Sequence, residues 1–121
     1  MGGGQTICLR LAKHMDPAEF RIVVAPFDAP GPGDDAFARA VADQGGTLAD
    51  KRIPWRSRRD GPAARETIAG LIERYAIDLV HTHDPQSNTL VGLYRKHFRC
   101  AAVASPYGWW NRWFPLRSHV Y

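Results

Sequence analysis

The residues best suited to chemistry form one short stretch, His81-Thr82-His83-Asp84. It ends a predicted strand, and because side chains alternate along a strand, His81 and His83 are expected on the same face. An imidazole there can take a proton, bond a hydroxyl group or join Asp84 in a relay. The spacing also resembles a metal pair, but no third or fourth ligand is apparent, so no metal is predicted. Histidines satisfied by backbone groups at a strand end remain the alternative.

A second candidate is the glycine-rich start, Gly2-Gly3-Gly4-Gln5-Thr6, which leads directly into a helical pattern. Glycine lets the backbone approach an anion closely, and the free N–H groups of a helix start point toward it. Gly2, Gly3, Gly4 and Gln5 are therefore candidate phosphate-binding residues. The stretch lacks the G-x-G-x-x-G spacing and the Walker lysine. An N-terminal tail that binds nothing is the alternative.

The third candidate is an aromatic segment, Ser105-Pro106-Tyr107-Gly108-Trp109-Trp110, which follows the last predicted strand. Aromatic rings at such a position suit stacking against a sugar or an apolar acceptor tail. The alternative is a hydrophobic surface that further chain covers. With Trp113 and Phe114 close by, we expect the isolated chain to self-associate through this segment or to bind hydrophobic dye.

Four helices are predicted to support these residues, from apolar side chains that recur with helical spacing. The first stops at Asp16-Pro17, because the residue before proline is pushed out of the helical region. The second leaves through Gly45-Gly46, the third covers about residues 62 to 75, and the fourth begins at Asp84-Pro85 with a cap and a first-turn proline. The inward stripes are Cys8, Leu11, Ala12 and Met15; Phe37, Ala40 and Val41; Ile68, Leu71, Ile72 and Tyr75; and Leu90, Leu93, Tyr94 and His97.

The predicted strands are residues 20–25, 47–53 (a weaker pattern), 77–82 and 100–104, with Ile22, Val24, Leu79 and Val80 buried. Helices and strands that alternate through short connections favour right-handed crossovers onto a parallel sheet. We therefore predict an α/β, Rossmann-like parallel sheet with flanking helices. A glycine-rich turn in such a sheet normally follows the first strand. No strand precedes the glycines here, so two expectations remain open: either the chain is trimmed at its start, or the sheet lacks its first, central strand.

Composition limits the class of protein. The chain has 121 residues, 45% of them hydrophobic, which fits a single packed domain. The formal charge of +4 suits anionic ligands, but no nucleic-acid-binding motif is present. Cys8 and Cys100 are expected to be reduced thiols, and no apolar run approaches the ~20 residues of a membrane span. A cytoplasmic protein is expected.

Taken in order, three landmarks resemble the N-terminal domain of family 4-like glycosyltransferases of the GT-B type. They are Gly2-Gly3-Gly4-Gln5-Thr6, Asp78-Leu79-Val80-His81-Thr82-His83-Asp84 and Ala104-Ser105-Pro106-Tyr107-Gly108-Trp109. Residues 11–20 are also typical of the family's first helix and its exit. The resemblance extends from Gly2 to about Trp110.

The resemblance implies the acceptor-side half of a two-domain enzyme that moves a sugar from a nucleotide-sugar donor to an acceptor, without a bound metal or other cofactor. It assigns the glycine stretch to the donor diphosphate, and His81, His83, Asp84, Tyr107, Gly108 and Trp109 to acceptor or sugar contact. A C-terminal donor-binding domain, in cis or in trans, and peripheral contact with the inner membrane face are the further implied partners.

Two departures from the family pattern bear on activity. Tyr107 stands where the family has a histidine, and no donor-binding domain or E-x7-E carboxylate pair is present, so catalytic residues are not assigned. We expect residues 1–121 to be a single N-terminal domain, a fragment of the enzyme that is inactive alone. A non-catalytic binding module that docks a partner through its aromatic segment is the alternative.

Overall fold

The structure is a computed structural model that describes residues 3–27 and 34–105. The helices are α1 (Gly3–His14), α2 (Asp34–Asp43), α3 (Gly61–Arg74) and α4 (Pro85–Leu93). The strands are β1 (Val23–Val24), β2 (Thr47–Leu48), β3 (Leu79–Thr82) and β4 (Ala101–Ala104). Short 3-10 turns at Arg58–Asp60 and Arg95–His97 precede α3 and follow α4. The order α1-β1-α2-β2-α3-β3-α4-β4 confirms the predicted α/β class.

The helix ends follow from local sequence. α1 stops two residues before Asp16, whose side chain accepts a hydrogen bond from the Ala18 N–H at 2.9 Å. The chain leaves α2 through Gly45, which has a φ of 84° in the left-handed region that glycine tolerates. α4 begins with Asp84 as its cap and Pro85 in its first turn. Each of these ends was predicted from the sequence.

The strands form two parallel pairs. β1 pairs with β2, Val23 opposite Thr47, and β3 pairs with β4, Leu79 opposite Ala101 and Thr82 opposite Ala104. Ile53, downstream of β2, forms one more parallel bridge with Phe27. Within residues 3–27 and 34–105, the two pairs are separate two-stranded sheets.

Two apolar clusters lie on opposite faces of the strands. The α3–α4 cluster consists of Ala49, Ile53, Ala64, Ile68, Leu71, Leu90, Val91 and Phe98, with Val23, Val80 and Ala102 packed against it. The α1–α2 cluster consists of Val24, Phe37 and Val41, with Cys8, Leu9, Ile22 and Leu48 packed against it. Because Val23 and Val24 belong to different clusters, β1 carries one helical layer on each face.

The burial predicted for Leu79 is wrong, since this side chain is 50% exposed. The alternation of β3 turns Val80 toward the α3–α4 cluster and Leu79 to the other face. Val103 of β4, on the same face as Leu79, is 48% exposed. Among residues 3–27 and 34–105, the face of the β3–β4 pair opposite α3 and α4 is therefore open.

The stripe predicted for α4 and the lengths of two strands also need correction. Leu93 is 65% exposed and His97 is exposed, and the buried residues of α4 are Asn88, Leu90 and Val91. The buried side of α4 includes the polar residue Asn88, and a prediction from apolar spacing does not count a polar residue as buried. β1 and β2 are two residues each, shorter than the predicted ranges 20–25 and 47–53, although the Ile22 carbonyl group and the Ala49 N–H group take part in parallel hydrogen bonds beside them. Phe20 is 49% exposed.

Candidate functional site

The two histidines of the stretch at residues 81–84 lie together, as alternation predicted. The ring centroids of His81 and His83 are 4.0 Å apart, with the planes tilted by 42°. His81 Nε2 is 2.7 Å from the hydroxyl oxygen of Ser105, just beyond β4. At the carboxyl ends of β3 and β4, the Ser105 hydroxyl group therefore positions the His81 ring, and His83 contacts that ring. In open α/β sheets this is the edge where ligands bind.

Asp84 caps α4 with its carboxylate. Oδ1 accepts hydrogen bonds from the N–H groups of Gln86 at 2.8 Å and Ser87 at 2.9 Å. Oδ2 accepts from the Ser87 hydroxyl at 2.8 Å, and the Asp84 N–H donates back to the Ser87 oxygen at 3.3 Å, completing a capping box. Both carboxylate oxygens of Asp84 therefore accept hydrogen bonds from the first turn of α4. These bonds fix the direction in which the chain continues after His83.

A buried polar network lies beneath the histidines. The Thr82 hydroxyl donates to Asn88 Oδ1, and Asn88 Nδ2 donates to the Ser105 carbonyl oxygen at 3.3 Å. Thr82 is 6% exposed and Asn88 2% exposed. The network ties β3, α4 and the end of β4 together. It holds the Ser105 backbone, and so the hydroxyl that meets His81.

Burial lowers the pKa of both imidazoles below the ordinary value of a histidine. For His83, the neighbouring His81 ring lowers the pKa further, and the Asp84 carboxylate opposes these effects by raising it. Since an ordinary histidine titrates near ~6.5, both rings are neutral at pH 7. A neutral imidazole can accept a proton from a hydroxyl group, as well as donate a hydrogen bond.

The Asp84 carboxylate also acts on Cys8 of α1. Burial raises the pKa of the Cys8 thiol, and the field of the Asp84 carboxylate raises it further, while a backbone hydrogen bond of Cys8 itself lowers it. An electrostatic effect of Asp84 on Cys8 requires the N-terminal half of α1 to lie near the end of β3.

Some of the site residues predicted from the sequence lie within the described residues, and others do not. Gly3, Gly4 and Gln5 form the first turn of α1 and not a separate loop. A methyl group added at Gly4 would meet no atom within 4 Å, so the backbone there is open to approach. His81, His83 and Asp84 lie together at the end of β3. Gly2, Tyr107, Gly108 and Trp109, like the rest of the aromatic segment beyond Ser105, lie outside the described residues.

Sequence reasoning missed Asn88 and the hydroxyl of Ser105. Asn88 has three-residue spacing from the buried Val91, so it lies on the inner side of α4. A polar residue at an inward position of a helix is the signal that was available. For Ser105, the only available signal was its position, one residue past the last predicted strand.

Cys8 and Cys100 are free, half-buried thiols, as expected. In residues 3–27 and 34–105, no group of three or more His, Cys, Asp or Glu side chains has an arrangement that could hold a metal ion. No helix in these ranges is long and apolar enough to cross a membrane.

These features define an α/β domain with a polar site where the carboxyl ends of two parallel strands meet a helix start. The sequence model of Glycosyltransferase Family 4 matches residues 1–121. The chain therefore belongs to this family, which confirms the resemblance and supports a glycosyltransferase-type function. Searches of curated proteins and of solved structures returned no match.

Proposed function

We propose that this chain is the N-terminal, acceptor-side domain of a GT-B glycosyltransferase, which transfers a sugar from a nucleotide-sugar donor to an acceptor. The observation that carries the proposal is the paired, neutral imidazoles of His81 and His83 at the carboxyl end of β3. An acceptor presents hydroxyl groups. Neutral imidazoles both donate to such groups and accept from them.

The first turn of α1 suits the donor diphosphate. The helix dipole favours negative charge at this end. Gly4 leaves space for the backbone to approach a phosphate. Since α1 lies near Asp84, the diphosphate would sit close to the hydroxyl groups bound by the histidines. Group transfer needs both reactants in this proximity.

Residues 1–121 are proposed to be inactive alone. A donor sugar needs fixed partners on both sides of the cleft, because preorganised groups stabilise the transition state. The described residues supply one side. A C-terminal donor-binding domain, in cis or in trans, is the second partner, and no cofactor is required beyond the donor. A cytoplasmic location, with contact to the inner membrane face where the acceptor is a lipid, is part of the same proposal.

The test is a reconstitution. The chain is assayed for release of nucleotide from a panel of nucleotide sugars, alone and joined to a C-terminal donor-binding domain from the same family. We expect no turnover alone and measurable turnover in the joined protein. In the joined protein, His83→Gln should lower kcat/KM by about 10²-fold, the usual loss for a group that transfers a proton.

The matched control is His97→Gln, which changes an exposed histidine on the turn after α4. It should leave kcat/KM unchanged. Turnover by the isolated chain would contradict the requirement for a second domain. Equal activity of the His83 and His97 variants in a correctly folded, active joined protein would contradict the role of the histidine pair.

A further inference from the structure

Strand register places the side chain of Ser105 beside His81. In the parallel β3–β4 pair, His81 lies opposite Val103. Side chains two positions apart share a face of a sheet, so Ser105 follows Val103 on the face that carries His81. The imidazole spans the diagonal between the two strands, and its Nε2 atom lies 2.7 Å from the Ser105 hydroxyl oxygen. The register of the two strands therefore accounts for this contact.

The backbone of Ser105 is held by hydrogen bonds from two elements. Its N–H group donates to the Thr82 carbonyl oxygen of β3 at 2.9 Å. Its carbonyl oxygen accepts from Asn88 Nδ2 of α4 at 3.3 Å. Thr82 and Asn88 are themselves buried and bonded to each other, and a satisfied buried network of this kind is rigid. The Ser105 hydroxyl group therefore meets His81 from a fixed position.

The distance between the two side chains indicates which one donates the hydrogen bond. Hydroxyl donors most often form bonds of about 2.7–2.8 Å, and N–H donors form bonds of about 2.9–3.0 Å. The 2.7 Å separation of Ser105 Oγ and His81 Nε2 therefore fits a hydroxyl group that donates to the ring. Burial lowers the pKa of His81, so the ring is neutral at pH 7 and has one acceptor nitrogen.

The other hydrogen-bonding atoms of the two side chains agree with this direction. In the part of the chain that the structure describes, the Ser105 hydroxyl has no acceptor other than His81 Nε2, and His81 Nδ1 has no hydrogen-bond partner. A proton on Nε2 would leave the Ser105 hydroxyl without an acceptor among these residues. With the proton on Nδ1, both atoms of the contact are satisfied, and the exposed His81 ring has an N–H group for a ligand.

We propose that Ser105 is a positioning residue that holds His81 as the Nδ1–H tautomer, so that His81 donates a hydrogen bond from Nδ1 to a substrate oxygen. In this tautomer the acceptor nitrogen of His81 is occupied by Ser105 and does not take a proton from a substrate hydroxyl group. Proton acceptance at the site then belongs to His83. The tautomer follows from the contact with Ser105, whereas the bond to a substrate oxygen rests on the proposed function.

The tautomer is measured in the 121-residue chain itself, without turnover. Long-range ¹⁵N–¹H correlation spectra at about pH 7.5, where the ring is neutral, show which ring nitrogen carries the proton. The spectrum of His81→Gln identifies the His81 signals. We expect Nδ1–H in the unchanged chain and in Ser105→Thr, which retains a hydroxyl group. Ser105→Ala should shift the tautomer ratio of His81 toward Nε2–H by about tenfold, the size expected of one lost hydrogen bond.

The control variants separate the hydroxyl group from the fold. Ser105→Ala retains the backbone groups that bond Thr82 and Asn88, and circular dichroism checks that it folds. Thr89→Ala removes an exposed hydroxyl group of α4 and should leave the tautomer unchanged. An Nε2–H tautomer in the unchanged chain would overturn the proposal, whatever the variants do. Equal tautomer ratios in the unchanged chain and in a folded Ser105→Ala variant would also overturn it.

Two substitutions of His81 test the donor role in the protein joined to a donor-binding domain. The amide nitrogen of asparagine can occupy the position of Nδ1, whereas that of glutamine reaches the position of Nε2. His81→Gln should raise KM about tenfold with a smaller change in kcat, because a contact made equally before and during the reaction is lost. His81→Asn, which restores a donor near Nδ1, should raise KM less than His81→Gln.

The outcomes keep the donor role distinct from sugar transfer itself. A larger rise in KM for His81→Asn than for His81→Gln would overturn the donor role at Nδ1. A loss of kcat in His81→Gln as large as that in His83→Gln would overturn the division of roles between the two histidines. An Nδ1–H tautomer in a chain whose joined protein shows no turnover would support the assignment of Ser105 and contradict the proposed function.

Discussion

Replacing Asn88 by alanine should destabilise the domain more than any other single change of a polar side chain in α4. Asn88 is 2% exposed and bonds both Thr82 and the Ser105 carbonyl oxygen. A buried polar group that loses its partner costs about 1–3 kcal/mol. The Thr82 hydroxyl retains a contact of 3.4 Å with the Val103 carbonyl oxygen, which offsets part of its loss. The expected total is about 2–4 kcal/mol.

The assay is urea unfolding at 25 °C, followed by circular dichroism. With a slope of about 2 kcal/mol per molar urea, a loss of about 3 kcal/mol lowers the midpoint by about 1.5 M. The matched control is Thr89→Ala, one position along the helix. Thr89 is exposed and its hydroxyl donates to the Pro85 carbonyl oxygen at 2.7 Å, within the same helix. This control should change stability by no more than about 0.5 kcal/mol.

The same variant should also disturb the site. Asn88 holds the end of β4 through the Ser105 carbonyl group, and the Ser105 hydroxyl lies 2.7 Å from His81 Nε2. The imidazole resonances of His81 should therefore shift in Asn88→Ala and remain in place in Thr89→Ala. If the two variants had equal urea midpoints, the buried network would not stabilise the domain, and the reasoning from burial would be refuted.

Two further predictions concern pH and glycine. Since burial lowers the pKa of His81 and His83 in the folded state, the unfolded chain binds more protons at mildly acidic pH, so stability should be complete above about pH 6.5 and fall below it. Urea midpoints measured from pH 7.5 to 5.5 test this dependence. The double variant with glutamine at both positions should flatten the profile. A midpoint that rises on acidification would contradict the prediction. Gly70→Ala, in the interior of α3 with open space around the added methyl, should stabilise by about 0.5–1 kcal/mol, whereas Gly45→Ala, at a φ of 84°, should destabilise by about 1 kcal/mol. Thermal unfolding compares the two, and shifts of the same sign would argue against the backbone assignment at Gly45.

Local features of the fold were predictable because their causes lie within a few residues. The end of α1 before Asp16-Pro17, the exit of α2 at Gly45 and the cap at Asp84 depend on backbone geometry and short-range hydrogen bonds. The same holds for the shared face of His81 and His83, since strand alternation is a property of the backbone.

Burial within the elements was less predictable, because it depends on which neighbours the chain brings to each face. Leu79 and Leu93 were expected inside and are exposed. Leu79 points to the open face of β3–β4, and Leu93 lies on the outer side of a helix oriented by Asn88. Hydrophobic pattern alone treats an apolar residue as buried, whereas burial requires another layer to cover it.

The sequence alone determined the family, the order of helices and strands, and the position of the two histidines at the end of β3, because each depends on short-range chemistry or on motif order. Only the tertiary structure decided how these parts meet. It joined Asn88 to Ser105 across seventeen positions, and so held a hydroxyl against His81. It brought α1 within the field of Asp84. It also divided the strands of the described residues into two separate parallel pairs, β1–β2 and β3–β4, because pairing depends on which strands the chain brings side by side.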